Sequence, residues 1–167
     1  DAADMAEFTA DQIGSFTATQ ARSLTATSLA DLADTQIQAF STTSLRSITA
    51  TAFGSLSETQ LGALTTAQVS SLGTAQLTAL NSTKFAAFTE AQIEALTTTQ
   101  VAGISNTNLT ALGDTQLASL TATQVAALTT GQVGALTTDN VAALTETQIG
   151  ALTTAQVKAL SSTNLSA

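Results

Sequence analysis

The chain has no cysteine, histidine, proline, tryptophan or tyrosine among its 167 residues. The lack of cysteine excludes a disulfide framework and a thiolate metal site. General acid–base and nucleophilic catalysis usually depend on histidine or cysteine, so only carboxylates, lysines and hydroxyls remain for chemistry. We therefore predict a protein that is not an enzyme and has no catalytic residue, metal site or cofactor.

Positive charge is also scarce. Four basic side chains stand against twelve acidic ones, which gives a net charge of −8. Nucleic acids and anionic membrane surfaces are bound through basic patches that neutralise phosphates, and this composition offers no such patch. No apolar run approaches the length of a membrane span. We expect no nucleic-acid partner and no membrane insertion.

The sequence does contain an eight-residue repeat. Counted from Asp1, residues 1–167 form a single array of twenty full octads and one of seven residues, without insertion or deletion. Position one is mostly Thr or Ser, position four mostly Gln, position five apolar, and position eight Leu, Phe or Ile. Because the last octad stops one residue short, we predict that the chain is a fragment of a longer array.

A period of eight residues excludes one continuous helix or strand. A continuous α-helix advances about 800° over eight residues, so an apolar stripe would rotate from octad to octad and never form a face. In a β-strand, positions five and eight would point to opposite faces because their parity differs.

Short helices, each with its own cap, fit the octad. Thr-x-x-Gln is the capping box, in which Thr153 is the N-cap of one octad, Gln156 its partner, and Leu152 with Val157 the hydrophobic staple. Helices this short are unstable alone and must stack, with positions five and eight inward. We predict an all-α fold: a tight α-solenoid of very short capped helices, one per octad.

A longer period is superimposed on the eight-residue repeat. Apart from Asp4 in the first octad, position four departs from Gln in octads 4, 6, 7, 11, 14, 18 and 21, and without octad 6 the spacing alternates between three and four. The residues are Ser28, Ser44, Ala52, Lys84, Asn108, Asn140 and Asn164. By analogy with heptads, we predict about 3.5 octads, or about 28 residues, per superhelical turn. Duplication of a 56-residue block would explain the outer period but not the three/four split.

Acidic residues supply weak candidates for a calcium site. Asp1, Asp4 and Glu7 have i, i+3 spacing and could share one helical face. Asp31 and Asp34 flank one junction between octads. In both cases we prefer a solvated surface.

Other chemistry-bearing residues have ordinary explanations. A Ser82–Lys84 dyad would need a buried, deprotonated lysine, so we interpret Lys84 as a surface residue that replaces a capping Gln. N-x-Ser/Thr sequons begin at Asn81, Asn108 and Asn164; they are incidental in a bacterial protein and could carry glycans in a secreted eukaryotic one. All phenylalanines occupy position five or eight, which indicates core packing: Phe8, Phe16, Phe40, Phe53, Phe85 and Phe88.

Tandem octads such as ALTTGQVGALTTDNVAALTETQIGALTTAQVKAL resemble the octapeptide arrays of very large bacterial secreted or cell-surface proteins that are described as adhesin-like. The resemblance covers essentially the whole chain and implies an extracellular or cell-surface location. It brings no catalytic or binding residues with it.

Two functional hypotheses follow. The first is a structural spacer, stalk or filament-forming segment whose ends associate end to end. The second is a ligand-binding module for ice, glycans or another surface, which would use a Thr- or Asn-rich face. Hydroxyls at position one are needed for helix caps, whereas those at positions two and three are freer.

Overall fold

Each octad from the second to the twentieth forms one short helix. A computed structural model of the chain describes residues 5–160, in which nineteen α-helices of four to six residues follow one another and no strand occurs. We number them in chain order as α1 Ala10–Gly14, α2 Ala18–Arg22, α3 Ala26–Ala30, α4 Asp34–Ala39, α5 Thr42–Ser47, α6 Ala50–Phe53, α7 Glu58–Ala63, α8 Thr66–Ser71, α9 Thr74–Thr78, α10 Ser82–Ala86, α11 Glu90–Glu94, α12 Thr98–Ala102, α13 Asn106–Thr110, α14 Asp114–Ser119, α15 Ala122–Ala126, α16 Thr130–Ala135, α17 Thr138–Ala142, α18 Glu146–Gly150 and α19 Thr154–Ala159.

Position one is the N-cap of these helices, as predicted. In α16, the Thr129 hydroxyl accepts from the Gln132 backbone N–H at 3.1 Å, and the Thr129 N–H donates to Gln132 Oε1 at 2.7 Å. At Ala33, Gly73 and Gly113 only the second half of the box forms, because these residues have no side-chain oxygen to accept. The capping box, whole or half, is thus confirmed in fourteen of the nineteen described helices, whereas α3, α5, α6, α10 and α13 have the side-chain cap alone.

The helices wind into a solenoid with between three and four octads per turn. Every pair of helices with substantial contact is three octads apart, as α2 and α5 are. Most hydrogen bonds that join successive turns instead reach four octads back, as from Gln60 Nε2 to the Leu29 and Leu32 carbonyls at 2.8 and 2.7 Å. A helix thus packs against its third neighbour, and its octad is hydrogen-bonded to its fourth. This confirms the predicted turn of about 3.5 octads.

The core is a continuous column of position-five and position-eight side chains. Phe53, Phe85 and Phe88 are among its largest fully buried members, and Phe8 and Phe16 pack against it, which confirms the prediction for the phenylalanines. The exceptions are Ile149 and Val157, 40% and 47% exposed, which lie where no described helix follows three octads later.

None of the helices within residues 5–160 is both long enough and apolar enough to cross a membrane.

Candidate functional site

Position four holds the most distinctive side chains of the structure. Nearly all of these amides are buried, and their NH₂ groups donate to backbone carbonyls of the octad four places earlier. We call this set the inter-turn amides, and it consists of Gln36, Gln60, Gln68, Gln76, Gln92, Gln100, Asn108, Gln116, Gln124, Gln132, Gln148 and Gln156.

A glutamine at this position bonds with both ends at once. Gln132 is 2% exposed; its Oε1 accepts from the Thr129 N–H, and its Nε2 donates to the Val101 and Ile104 carbonyls, both at 2.8 Å. The last carbonyls of a helix have no partner within the helix itself. The side chain therefore caps its own helix at the N-terminus and the helix of the previous turn at the C-terminus.

The capping-box interpretation captured only the first of these two roles. A signal for the second was present in the sequence, because thirteen octads have Gln at position four, three have Asn and none has Glu. A capping box accepts either Glu or Gln, so the exclusion of Glu indicates that the NH₂ donor is needed.

Two of the substitutions at position four keep the inter-turn bond, whereas Ser28, Ser44 and Ala52 make no side-chain bond to another turn. Asn108 is 3% exposed and donates through Nδ2 to the Leu80 carbonyl at 3.0 Å. Lys84 is half-buried, and its Nζ donates to the Gly54 carbonyl at 2.7 Å. Lys84 thus replaces the amide of a capping Gln, and none of its hydrogen bonds is to Ser82.

The acidic candidates do not assemble into a site in the described part of the chain. Asp31 is the C-cap of α3 and Asp34 lies in the first turn of α4, and nowhere in residues 5–160 do three potential metal ligands cluster. Of the other acidic candidate, Asp1 and Asp4 lie outside the described residues, and only Glu7 is within them.

The sequons lie in different surroundings. Asn81 is the N-cap of α10 and accepts from the Lys84 N–H at 2.9 Å. Asn108 is one of the inter-turn amides, so a glycan on its Nδ2 would displace a bond between turns. Asn164 lies outside the described residues.

Buried polar groups of the described residues are fully used within the fold. Every buried side-chain nitrogen or oxygen there has a hydrogen-bond partner. The buried interior therefore offers no free donor, acceptor or nucleophile, and any contact with another molecule must use the exposed surface.

A region of the exposed surface combines clefts with positive charge. Three open clefts of about 690, 390 and 310 Å³ adjoin at Arg46, which lines all of them. The first is also lined by Arg22, and no acidic residue lines any of the three.

Comparison with known proteins agrees with the repeat architecture. A family model described as the ALTTAQ repeat matches residues 58–90, 69–106, 111–146 and 131–167, which together cover more than half of the chain. No curated protein and no solved structure matches the chain.

Proposed function

This chain belongs to the ALTTAQ repeat family, and from the way its octads interlock we propose that it is a non-catalytic structural spacer. The observation that carries the proposal is the set of inter-turn amides. Each one joins an octad to the octad four places earlier, so most octads present the same amide donor to the turn before them. A structure built this way can lengthen by whole turns while its cross-section stays constant.

The use of polar groups supports a spacer over an enzyme. Hydroxyls at position one and amides at position four are held in caps and inter-turn bonds, and these are the residues that recur in the array. A spacer needs stiffness, which hydrogen bonds repeated from turn to turn provide. It does not need reactive groups that converge on one site.

We further propose a location on the bacterial cell surface or outside the cell. The support is the similarity of the octads to arrays of large secreted and surface proteins, together with a composition that has no cysteine. In that setting the array would hold other parts of a longer protein away from the surface that anchors it.

The contacts between successive turns also support a proposal of end-to-end association. The amide donors of Gln12 and Gln20 are exposed at one end of the described array, and the side chains of Ile149 and Val157 are exposed towards the other. A second copy could supply the missing turn on either side, which would give filaments. Light scattering over a range of protein concentrations tests this, since association predicts particles that grow in length alone.

An insertion of known size tests the spacer proposal. Duplicating residues 57–112 adds seven octads, which are two whole turns at 3.5 octads per turn. Small-angle X-ray scattering should show a maximum dimension larger by roughly 16–20 Å, from two helix-packing distances of about 8–10 Å, at an unchanged cross-sectional radius. Duplicating residues 57–116 is the matched control, because its sixty residues break the octad register by four.

The outcomes separate the hypotheses. Equal lengthening by both insertions, or a larger cross-section in the in-register variant, would contradict the spacer proposal. Thermal hysteresis or binding to a neutral glycan by the unmodified chain would instead favour the alternative, a ligand-binding module for ice or glycans.

A further inference from the structure

The three clefts around Arg46 form an elongated groove. Its lining residues come from octads 3, 6, 7, 9, 10 and 13, so the groove crosses successive turns of the solenoid instead of following one of them. We call it the Arg46 groove. A surface of this shape suits an extended polymer better than a compact small molecule.

Several hydroxyls along the Arg46 groove have no hydrogen bond to another described residue. Thr19, Thr42, Thr43, Thr74 and Thr99 occupy positions two or three of their octads and are exposed. None of these hydroxyls has a hydrogen bond to another described residue, in contrast to the capping hydroxyl of Thr97 in the same groove. They are therefore free to donate to and accept from hydroxyls of a bound molecule.

Two arginines concentrate positive charge in the groove. Arg22 and Arg46 both occupy position six, and their helices α2 and α5 pack against each other on successive turns. Neither side chain has a hydrogen bond or an ion pair with any other residue of the described range. The chain has twelve carboxylates, yet none of those in the described range pairs with these two guanidinium groups. Both groups are therefore available to bind an anion from another molecule.

We propose that the Arg46 groove binds an acidic polysaccharide. The guanidinium groups of Arg22 and Arg46 pair with its carboxylate or sulfate groups, and the free threonine hydroxyls bond to its sugar hydroxyls. Arginine suits this role because its planar fork of donors matches an oxyanion in two-point contact. The binding is independent of the spacer role, since it uses none of the inter-turn amides.

Other polyanions fit the groove less well. Single-stranded nucleic acids bind through aromatic side chains that stack on bases, and this chain's only aromatic residues are phenylalanines, which belong to or pack against the core. An anionic membrane attracts clusters of basic residues on a broad surface, whereas only four basic residues exist in the whole chain.

Calorimetric titration with defined oligosaccharides tests the proposal. The probes are an oligogalacturonate, its methyl ester, and a sulfated dextran fragment of similar length. The unmodified chain should bind one or both acidic probes in the millimolar range or tighter and the neutral ester at least about tenfold more weakly. A preference between carboxylate and sulfate would identify which group the arginines take.

Matched variants locate the site. The double variant Arg22→Gln/Arg46→Gln should bind the acidic probe about tenfold more weakly. Lys158→Gln removes one positive charge at the same octad position, away from the groove, and should change the dissociation constant less than about twofold. Arg46→Lys, which keeps the charge and loses the fork, should lie between these variants.

Three results would overturn the proposal: no binding of either acidic probe, equal affinity for the methyl ester, or equal losses from the double variant Arg22→Gln/Arg46→Gln and from Lys158→Gln. Because Arg22 and Arg46 are exposed, their variants should keep the thermal unfolding midpoint of the unmodified chain, which circular dichroism verifies. A lowered midpoint together with lost binding would also count against a direct contact.

Discussion

Replacing one buried inter-turn amide by an isosteric acid separates the two roles of position four. Gln132→Glu keeps the oxygen that accepts from the Thr129 N–H at 2.7 Å. It removes the NH₂ group that donates to the Val101 and Ile104 carbonyls. The helix start is thus preserved while the bond to the previous turn is lost.

The loss in free energy of unfolding depends on which hydrogen bonds the Val101 and Ile104 carbonyls keep in the variant. The Val101 carbonyl still accepts from the Ile104 N–H at 3.2 Å, so it loses one of two bonds, whereas the Ile104 carbonyl has no other acceptor bond among the described residues. A lost bond costs about 1 kcal/mol and an orphaned buried carbonyl about 1–3 kcal/mol. We expect Gln132→Glu to lower the free energy of unfolding by about 3 kcal/mol at pH 7.

The destabilisation should depend on pH. A carboxylate at this position is buried and faces two carbonyl oxygens, so the pKa of the introduced carboxyl in the folded state is raised above the value of about 4.3 in the unfolded chain. Below that value both states are protonated, and the acid can still donate one hydrogen bond. As the pH rises, the unfolded state ionises first, so stability falls by up to about 1.4 kcal/mol per pH unit until the folded-state pKa is reached.

Gln20→Glu is the matched control. Gln20 makes the same contact with its cap, accepting from the Thr17 N–H at 2.8 Å, but its side chain is exposed and its Nε2 has no partner among the described residues. The change in net charge is identical. A carboxylate near a helix N-terminus is favourable, so this variant should stay within about 0.5 kcal/mol of the parent chain.

Urea unfolding followed by circular dichroism, at several pH values between 4 and 8, measures both variants. The difference between them is the relevant quantity, because it cancels the titration of the other acidic residues. If Gln132→Glu and Gln20→Glu unfold alike at pH 7, or if their difference does not grow with pH, the inter-turn amide is not the stabilising contact that the structure indicates.

Further predictions concern close approach, caps and the lysine at position four. Gly150→Ala should raise the free energy of unfolding by about 0.5–1 kcal/mol, because a Cβ there meets nothing within 4 Å. Gly134→Ala should gain less or lose stability, because its Cβ would lie 3.1 Å from the Ala159 carbonyl oxygen. Thermal unfolding of the two variants compares them directly. Ala33→Thr should stabilise by about 1 kcal/mol, since φ −67° and ψ 157° at Ala33 match the other N-caps and only the hydroxyl is missing; no gain in urea midpoint would count against the cap. Lys84→Met should destabilise by about 1 kcal/mol through loss of the Nζ bond to the Gly54 carbonyl, and Lys84→Gln should recover most of it; equal midpoints for the two variants would contradict this.

The sequence alone was enough to predict the features that arise within one octad or from its period. The cap at Thr153, its partner Gln156 and the apolar positions five and eight are local signals, and the structure has them where the repeat places them. The turn of about 3.5 octads was also accessible, because exceptions at position four recur at intervals of three and four octads.

The remaining features arise from contacts between turns. A capping box explains the side-chain oxygen of Gln132 within its own octad, and the absence of Glu at position four signals only that an NH₂ donor is needed. The sequence does not show that this donor reaches residues 28–31 positions earlier. The positions of Arg22 and Arg46 are likewise each explained locally, because both are basic residues in the last turn of a helix. Their placement in one groove follows only from the packing of α2 on α5.

The distance that the inter-turn amides span determines how such an array can fold. A bond from one octad to the octad four places earlier does not exist in a segment of four octads, and substantial contacts between helices occur at the third neighbour. The first octads show this directly, because Gln12 and Gln20 accept from the N–H groups of their own N-cap residues, Thr9 and Thr17, while the glutamine side chains remain exposed. Stability should therefore rise with each octad beyond the first turn, and local unfolding should begin where one of the two neighbouring turns is missing.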